Sequence, residues 1–367
     1  MTETSIGLYV KCGAIACAMA LLVASPFIAR ADEPSPALKQ LIADANKEGR
    51  LDLQWASSLL GGIDGVTQEV AGMNAMFGTN IVPRLTPDPG SVPQLLNKIG
   101  VTQAAGQPSP TDAFVGTTVH IVTAVEKNMV QPAAWKTFLP GRIDDNTIEA
   151  DGLAVRVFTT LPGGIVYNTK LAPEKPTSLM DLLKPVWTGK IASTPYAASF
   201  ELLSATDMWG EEKTLDFARK FSKQVSGLIG CPELERVASG EFLVFAMDCS
   251  GREWVRYDKA GAPVGFVVPS DYAAQRFYYM VIPKNAGHPN AGKLFVTYLM
   301  TTEGQSILWK TGSYDLHTFP DSQMRKVIAD YEKQGIKFRE FTLAWWKLHP
   351  EVIPAQAKVV DLLTKQQ

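Results

Sequence analysis

The sequence predicts an α/β protein of two domains, with open and mainly parallel sheets flanked by helices. Short apolar stretches alternate with longer amphipathic ones, as they do in strand–helix–strand units. Several apolar stretches end in small or hydroxyl-bearing residues directly before a helix, which is typical of strand ends in open α/β sheets. The chain has 367 residues, enough for two domains that each bury a core of their own.

Residues 1–31 are expected to be an export signal. Lys11 precedes an apolar run from Gly13 to Ile28, and Ala29-Arg30-Ala31 has the small-x-small pattern of a signal-peptidase site, so cleavage is expected after Ala31. The run is shorter than the roughly 20 residues that cross a bilayer. A retained anchor is the alternative interpretation. Export predicts a periplasmic protein.

Composition and cysteine content limit the function further. With a net charge of −2, the chain lacks the excess of positive charge that would attract nucleic acid or an anionic membrane. Once the signal is removed, Cys231 and Cys249 are the remaining cysteines, and an oxidising compartment favours a disulfide between them. Two buried free thiols are the alternative. Four scattered histidines give no zinc-ligand spacing, and neither a metal nor a cofactor is expected.

The first part of the mature chain alternates between helix and strand signals. Ser35-Pro36 is typical of a helix start and Gly49 of a helix end. Pro83 indicates an edge strand or a bulge, because proline cannot donate a ladder hydrogen bond. Apolar periodicity predicts the other elements. They are a helix at 36–48, a strand at 51–55, a helix over 66–77, a strand at 81–85, a helix capped by Ser91, a strand at 111–115 and a helix opened by residues 116–118.

The second part begins with an apolar stretch at 153–168, which Leu-Pro-Gly-Gly interrupts at 161–164. Two strands joined by such a break can carry the chain from one domain into the other. Trp345 and Trp346 are expected to dock the C-terminal tail on a domain. The expected elements are a strand at 190–193, helices near 199–222, a strand at 226–229, a helix from 233, a strand at 242–247, a helix opened by 248–252, a strand at 264–268, a return strand at 276–282, helices at 289–300 and 302–311, and a helical tail at 321–367.

Small polar residues follow several predicted strands and are the candidate ligand contacts. A strand end that leads into a helix presents unpaired N–H groups, which suit an anionic or hydroxylated ligand. Arg252 is suited to a carboxylate or phosphonate, whereas Asp248 would suit a cationic amine. The candidate ligand-binding residues are Ser57, Ser58, Thr117, Thr118, Thr194, Tyr196, Ser199, Asp248, Ser250 and Arg252.

Each candidate also has a purely structural interpretation. The serines and threonines are ordinary helix-capping residues, and Arg252 has a neighbouring acid, Glu253, with which to form an ion pair. Trp55 would either line the pocket or belong to the core. Tyr196, in a polar loop, is the strongest candidate for a ligand contact.

Six stretches distributed over the mature chain resemble periplasmic solute-binding proteins of ABC importers, in the branch of the ferric-iron-binding proteins. They are Leu-Ile-Ala-Asp-Ala-Asn-Lys-Glu-Gly at 41–49, Gly-Gly-Ile-Val-Tyr-Asn at 163–168, Pro-Val-Trp-Thr-Gly-Lys-Ile at 185–191, Ala-Ser-Gly-Glu at 238–241, Pro-Lys-Asn-Ala-Gly-His-Pro-Asn-Ala-Gly-Lys-Leu-Phe at 283–295 and Thr-Glu-Gly-Gln at 302–305.

The resemblance implies a two-lobed type II periplasmic binding protein fold, with two crossing strands as the hinge between the lobes. It also implies that a small-molecule solute is enclosed between the lobes and delivered to an ABC permease in the inner membrane. The protein is expected to be a monomer and to catalyse no reaction. The expected division is residues 32–160 with 270–318 in the first lobe, 161–269 in the second lobe, and a helical tail at 319–367 packed on the lobes.

The iron ligands of that branch are not matched. Iron-binding members use two adjacent tyrosines after the strand that is 242–247 here, where this chain has Asp248, Cys249 and Ser250. Tyr278-Tyr279 lies in the return strand, where neighbouring side chains face opposite sides. Neutral hydroxyls suit ferric iron poorly. The expected ligand is therefore a small polar, anionic organic solute, and ferric iron with a synergistic anion is the alternative.

Two further function classes share some of these features. A ligand-sensing receptor subunit would have the same lobes, so the sequence does not separate sensing from transport. A secreted hydrolase is less favoured, because the chain has no Gly-x-Ser-x-Gly elbow and its histidines have no recognisable nucleophile beside them.

Overall fold

The computed structural model describes residues 33–55, 59–87, 92–139, 141, 143 and 146–365. The predicted export signal at 1–31, the candidate ligand residues Ser57 and Ser58, and the cap at Ser91 lie outside the described residues. Residues 34–367 belong to one compact unit. Within the described part, no helix has the length and apolar character needed to cross a membrane.

The strands form a parallel pair and two larger sheets. One sheet has five strands in the order β11-β7-β10-β8-β9; the other has six, in which β12 pairs with β13, β6, β3 and β4, and β6 pairs with β5. The strands are β1 Arg50–Trp55, β2 Val82–Pro87, β3 Phe114–Thr117, β4 Val130–Gln131, β5 Ile148–Glu149, β6 Ala154–Thr160, β7 Gly164–Asn168, β8 Ile191–Ser193, β9 Val225–Leu228, β10 Val244–Asp248, β11 Val264–Val267, β12 Ala274–Pro283 and β13 Arg339–Phe341.

The helices lie close to the predicted positions. Ser35 caps the first with its hydroxyl, and Gly49 ends it in the left-handed conformation. The helices are α1 Pro36–Glu48, α2 Gly62–Phe77, α3 Val92–Ala104, α4 Thr118–Glu126, α5 Trp135–Phe138, α6 Glu211–Ser222, α7 Glu235–Ala238, α8 Glu253–Lys259, α9 Pro289–Leu299, α10 Thr302–Gly312, α11 Gln323–Lys333, α12 Leu343–Leu348 and α13 Val352–Thr364.

The two larger sheets define the two lobes. We call the six-stranded sheet, the β1–β2 pair and their helices the first lobe, and the five-stranded sheet and its helices the second lobe. The chain crosses from β6 in the first lobe to β7 in the second through residues 161–163, which confirms the predicted crossing. Gly163 turns the chain there with a φ of 78°, and a Cβ would collide with the Tyr272 ring. The chain returns between β11 and β12.

The direction of the strands corrects the expectation of mainly parallel sheets. Strand β7 runs antiparallel to β10 and β11, and β12 runs antiparallel to β3, β4 and β6. Parallel pairs join β1 to β2, β8 to β9 and β10, and β12 to β13. At the crossings one strand leaves each sheet and another enters it, so β6 and β12, and likewise β7 and β11, run in opposite directions. The sheets are therefore mixed.

Several local elements differ from the prediction, and α5, β4 and β5 were not predicted. The helix expected from Ser199 is a single 3₁₀ turn over Phe200–Ser204, and an α-helix begins only at Glu211. Ser199 itself has a φ of 74°, in the left-handed region that favours glycine. The tail also contains the short strand β13, which pairs with β12 and was predicted as helical.

The tail packs against elements of both lobes. Helix α12 contacts α4 of the first lobe, and α13 contacts α6 of the second. Trp345 and Trp346 are buried in the same apolar cluster as Phe217 and Phe221 of α6. Trp345 also packs edge-on against Phe341, with ring centroids 4.6 Å apart. The two tryptophans therefore form part of the core that holds the tail.

Candidate functional site

Arg276 lies near the start of β12, at the junction of the two lobes. Its Nη1 donates to Ser199 Oγ, and its Nη2 donates to the carbonyl oxygen of Cys249 at 3.1 Å. Both acceptors belong to loops of the second lobe. Its Nε is buried and has no hydrogen-bond partner among the described residues. A guanidinium whose buried Nε–H has no described partner therefore lies between the lobes.

The first lobe contributes two further polar groups near Arg276. Thr117 pairs in register with Tyr278 across β3 and β12. His120 Nδ1 lies 2.9 Å from Thr117 Oγ1 and accepts from the Thr117 amide. Burial, and then the charge of Arg276, lower the pKa of His120 to about 4. The imidazole is therefore neutral at physiological pH, and Arg276 supplies the positive charge.

The second lobe contributes a disulfide and a tyrosine. The expected bond between Cys231 and Cys249 is present, with the two Cα atoms 6.0 Å apart, so the alternative of free thiols is set aside. Tyr196 lies beside this bond and accepts a hydrogen bond from the Cys231 amide at 3.2 Å. It is 42% exposed. Burial of part of the ring is the main cause that raises the pKa of its hydroxyl. Tyr196 is therefore a neutral, half-covered aromatic surface.

The loop after β10 is held by its own carboxylate. Asp248 Oδ2 accepts from the amides of Ser250, at 3.1 Å, and Gly251. Asp248 is fully buried, and this burial raises its pKa to about 6 in spite of the two amides. Its Oδ1 has no partner among the described residues. Asp248 therefore shapes the loop that presents the Cys249 carbonyl to Arg276, and it offers no exposed carboxylate to a cationic amine.

Two predicted threonines are also fully buried. Thr118 Oγ1 donates to the carbonyl of Phe341 at 3.2 Å, and Thr194 Oγ1 donates to the carbonyl of Tyr196 at 2.5 Å. These bonds fix the tail strand and the Tyr196 loop, respectively. The structure thus places Ser199 against Arg276, Thr117 against His120 and Tyr196 against the disulfide, whereas Thr118 and Thr194 are buried.

Arg252 makes the reciprocal contact, from the second lobe to the first. It donates to the carbonyl of Gly312 at 2.8 Å and pairs with Glu253 at 3.0 Å, so the ion pair considered above is present. Its guanidinium also lies 4.4 Å from the centroid of the Tyr314 ring, a cation–π distance. Arg276 of the first lobe and Arg252 of the second lobe therefore each contact the opposite lobe.

An aromatic column lies between the two arginines. Phe158 is stacked between Tyr278, at 4.6 Å, and Tyr314, at 4.1 Å. Tyr279, in contrast, is fully buried and donates to Glu149 at 2.8 Å, which agrees with the prediction that the two tyrosines face different sides. Trp55 is also buried and stacks on Phe295 at 6.5 Å. It therefore belongs to the core.

Arg276 and His120 are the site residues that the sequence analysis missed. Arg276 was included in the return strand, whose other residues are apolar or aromatic. A cation at the edge of such a strand is a signal that could have been used, because a buried charge needs a partner. Its pairing with Ser199 and Cys249 could not be identified from sequence, since both come from the opposite lobe.

One group of possible metal ligands occurs among the described residues. Asp52, Asp112 and His288 place their ligand atoms within 4.8 Å of one another. The buried Asp112, however, already accepts from the amides of Asp52, at 2.7 Å, and His288, at 2.8 Å. Its role is to join three chain segments. Arg276 and its neighbours do not belong to this group.

Comparison with known proteins gives a family match over most of the chain. The family model described as bacterial extracellular solute-binding protein matches residues 73–334. An uncharacterized protein of Haemophilus influenzae is 27% identical over 185 residues, which cover 44% of this chain and 51% of that protein. The chain thus spans about half the length of this curated relative.

Two solved structures illustrate the similarity in fold. The periplasmic binding protein AfuA of Actinobacillus pleuropneumoniae, with fructose-6-phosphate bound, is 19% identical with a TM-score of 0.58, covering 73% of this chain and 84% of that one. Iron-bound HitA of Pseudomonas aeruginosa is 16% identical with a TM-score of 0.64, covering 84% and 99%. At this identity the likeness establishes the two-lobed fold alone.

Proposed function

The chain belongs to the family of bacterial extracellular solute-binding proteins, and on this premise we propose that it captures a small anionic organic solute between its lobes. The observation that carries the proposal is Arg276, a cation at the lobe junction with an unused Nε–H. The His120 imidazole and the hydroxyls of Thr117 and Ser199 lie near it, and the buried carboxyl of Glu201, whose pKa is raised by burial, is close enough to interact with its charge. Such a set would bind a carboxylate, phosphonate or phosphate through charge-assisted hydrogen bonds.

The same contacts suggest how binding couples to closure. Arg276 belongs to the first lobe, and its acceptors Ser199 and Cys249 belong to the second. An anion bound by the guanidinium and by donors of both lobes would add cross-lobe bonds and favour the closed arrangement. Hinge closure around a ligand is the usual transition of periplasmic binding proteins, and the crossings at 161–163 and between β11 and β12 would act as the hinge.

Ferric iron is the second candidate, since HitA is described as iron-bound. Arg276 argues against a bare trivalent cation because like charges repel. A synergistic anion on Arg276 would relieve the repulsion, but Asp248 is buried and engaged with its own loop. An organic anion therefore fits the residues of this site better than ferric iron does.

The cellular role follows from the proposed binding. We propose that the protein acts in the periplasm after removal of residues 1–31, as a monomer that delivers its solute to an ABC permease and catalyses no reaction. A ligand-sensing role would use the same cleft. Co-purification with a membrane permease supports transport, whereas co-purification with a membrane receptor supports sensing.

A thermal-shift screen tests the proposal. A ligand that binds only the folded protein raises Tm by mass action. Carboxylates, phosphonates and sugar phosphates are expected to include a stabilising solute that is recovered unaltered after incubation. A shift given only by polyamines or by ferric iron, or chemical turnover of the solute, contradicts it.

A further inference from the structure

A second cationic surface lies where the two lobes meet on the side of Arg252. A groove of about 390 Å³ separates α8 of the second lobe from the end of α10 in the first; we call it the basic groove. Arg252, Arg256 and Lys259 line it from the second lobe, and Lys310 lines it from the first. Its volume is within the range of small-ligand pockets.

The charges of the basic groove are not balanced within the described structure. Glu253 is its one acidic lining residue, and that carboxylate pairs with Arg252. Arg256, Lys259 and Lys310 form no ion pair with a described carboxylate, and all three are exposed. Three cations thus face one groove in a chain whose net charge is −2.

Other grooves of the molecule differ in this respect. Two of similar volume, about 320 and 370 Å³, lie around Thr302, Phe319 and Pro320. Their described lining residues include no lysine or arginine, and the first groove contains Asp315 and Asp321. Among these three grooves, the basic groove is thus the one whose described lining carries lysines and arginines.

We propose that the basic groove binds a phosphoryl dianion, either inorganic phosphate or the phosphate group of an organic ester. Lysines and arginines are the usual partners of phosphate, and a dianion offsets the mutual repulsion of Arg256, Lys259 and Lys310. Because these cations come from both lobes, the bound phosphate bridges α8 and α10. This inference goes beyond the proposed function, since the groove does not involve Arg276.

Isothermal titration of the purified protein tests the inference with inorganic phosphate, glucose 6-phosphate and glucose. We expect inorganic phosphate, glucose 6-phosphate or both to bind, and glucose not to bind. Equal affinities for phosphate and glucose 6-phosphate identify free phosphate as the ligand. A higher affinity for glucose 6-phosphate identifies the phosphate group of a larger solute. Lys310→Gln and Arg256→Gln each weaken this binding at least fivefold. Lys326→Gln, which neutralises an exposed lysine of α11, leaves it within twofold.

Arg276→Gln separates this inference from the proposed function. If the basic groove holds the phosphate, Arg276→Gln leaves phosphate affinity within twofold. If neither phosphate compound binds, or if Lys310→Gln and Arg256→Gln leave binding unchanged, the inference is wrong. Loss of phosphate binding in Arg276→Gln alone also overturns it, and in that case the proposed anion site at Arg276 stands.

Discussion

The guanidinium of Arg276 donates from its Nη2 to the carbonyl oxygen of Cys249 across 3.1 Å. Arg276 belongs to the strand that returns to the first lobe, and Cys249 belongs to a loop of the second. The acceptor is a backbone atom, so its position depends on the loop and not on a side-chain rotamer. Asp248 caps that loop from one side and the Cys231–Cys249 disulfide holds it from the other.

Removal of the disulfide should affect both stability and ligand binding. Cys231 and Cys249 are 18 positions apart, and loop-closure entropy assigns such a bond about 3 kcal/mol. We expect the double substitution Cys231→Ser, Cys249→Ser to lower the free energy of unfolding by about that amount and to weaken solute binding. Denaturant titration and calorimetry measure the two effects. Reductant should destabilise the parent protein and leave the double variant unchanged; equal stability of both proteins would show that the bond is absent in solution.

Glu69 should make stability depend on pH. It is fully buried in α2, both carboxylate oxygens lack a described partner, and burial raises its pKa to about 8 from 4.5. The folded state therefore keeps a proton that the unfolded state releases above pH 4.5, so this residue costs stability as pH rises toward 8. We expect Glu69→Gln to gain on the order of 3 kcal/mol relative to the parent between pH 5 and pH 7.5.

Thermal unfolding across that pH range measures the effect of Glu69. Glu303 of α10 is exposed, and Glu303→Gln is the matched control, which should follow the parent at every pH. A constant difference between Glu69→Gln and the parent would mean that Glu69 is ionised in the folded protein.

Trp345 should contribute much more to stability than its neighbour Leu348. Trp345 is 8% exposed and Leu348 is 76% exposed, although both lie in α12. Trp345 Nε1 also donates to Asp207 at 3.1 Å. We expect Trp345→Ala to cost about 3–5 kcal/mol and Leu348→Ala to cost less than about 0.5 kcal/mol, as measured by denaturant unfolding. Similar costs for the two variants would mean that the tail is not docked.

Tyr196 should act on binding more than on stability. Tyr196 is 42% exposed, so truncation removes less buried area than it would at a core aromatic residue. We expect Tyr196→Ala to weaken binding of the solute found by the thermal-shift screen at least fivefold, with a Tm of the free protein within about 2 °C of the parent. If Tm falls by several degrees and affinity does not change, Tyr196 supports the disulfide loop and does not contact the ligand.

The sequence predicts most of the fold because the spacing of apolar residues indicates which side chains are buried. Helix α1, strand β1 and the crossing at 161–163 lie where apolar spacing and glycine positions place them. Strand β13 was missed because its three residues, Arg339–Phe341, carry no alternation and gain their order from pairing with β12. The direction of the strands around the crossings depends on which lobe each strand joins, and local sequence does not encode that.

The site was predicted in part, for a related reason. Residues at strand ends, such as Thr117 and Ser199, are recognisable from the loop composition that follows a buried strand. Arg276 is not at such an end. It becomes a site residue because the return strand brings it against Ser199 and Cys249, which precede it by 77 and 27 positions. Contacts of this kind follow from the arrangement of the lobes.

Calorimetric titration of Arg276→Gln with the stabilising solute tests the central claim most directly. A lost charge-assisted hydrogen bond costs about 1.5–3 kcal/mol, which corresponds to about 10- to 150-fold in affinity. We predict a loss of that size in Arg276→Gln, and a smaller loss in Arg276→Lys, which keeps the charge. Binding of the anion with unchanged affinity in Arg276→Gln would contradict the assignment of Arg276 as the anion-binding residue.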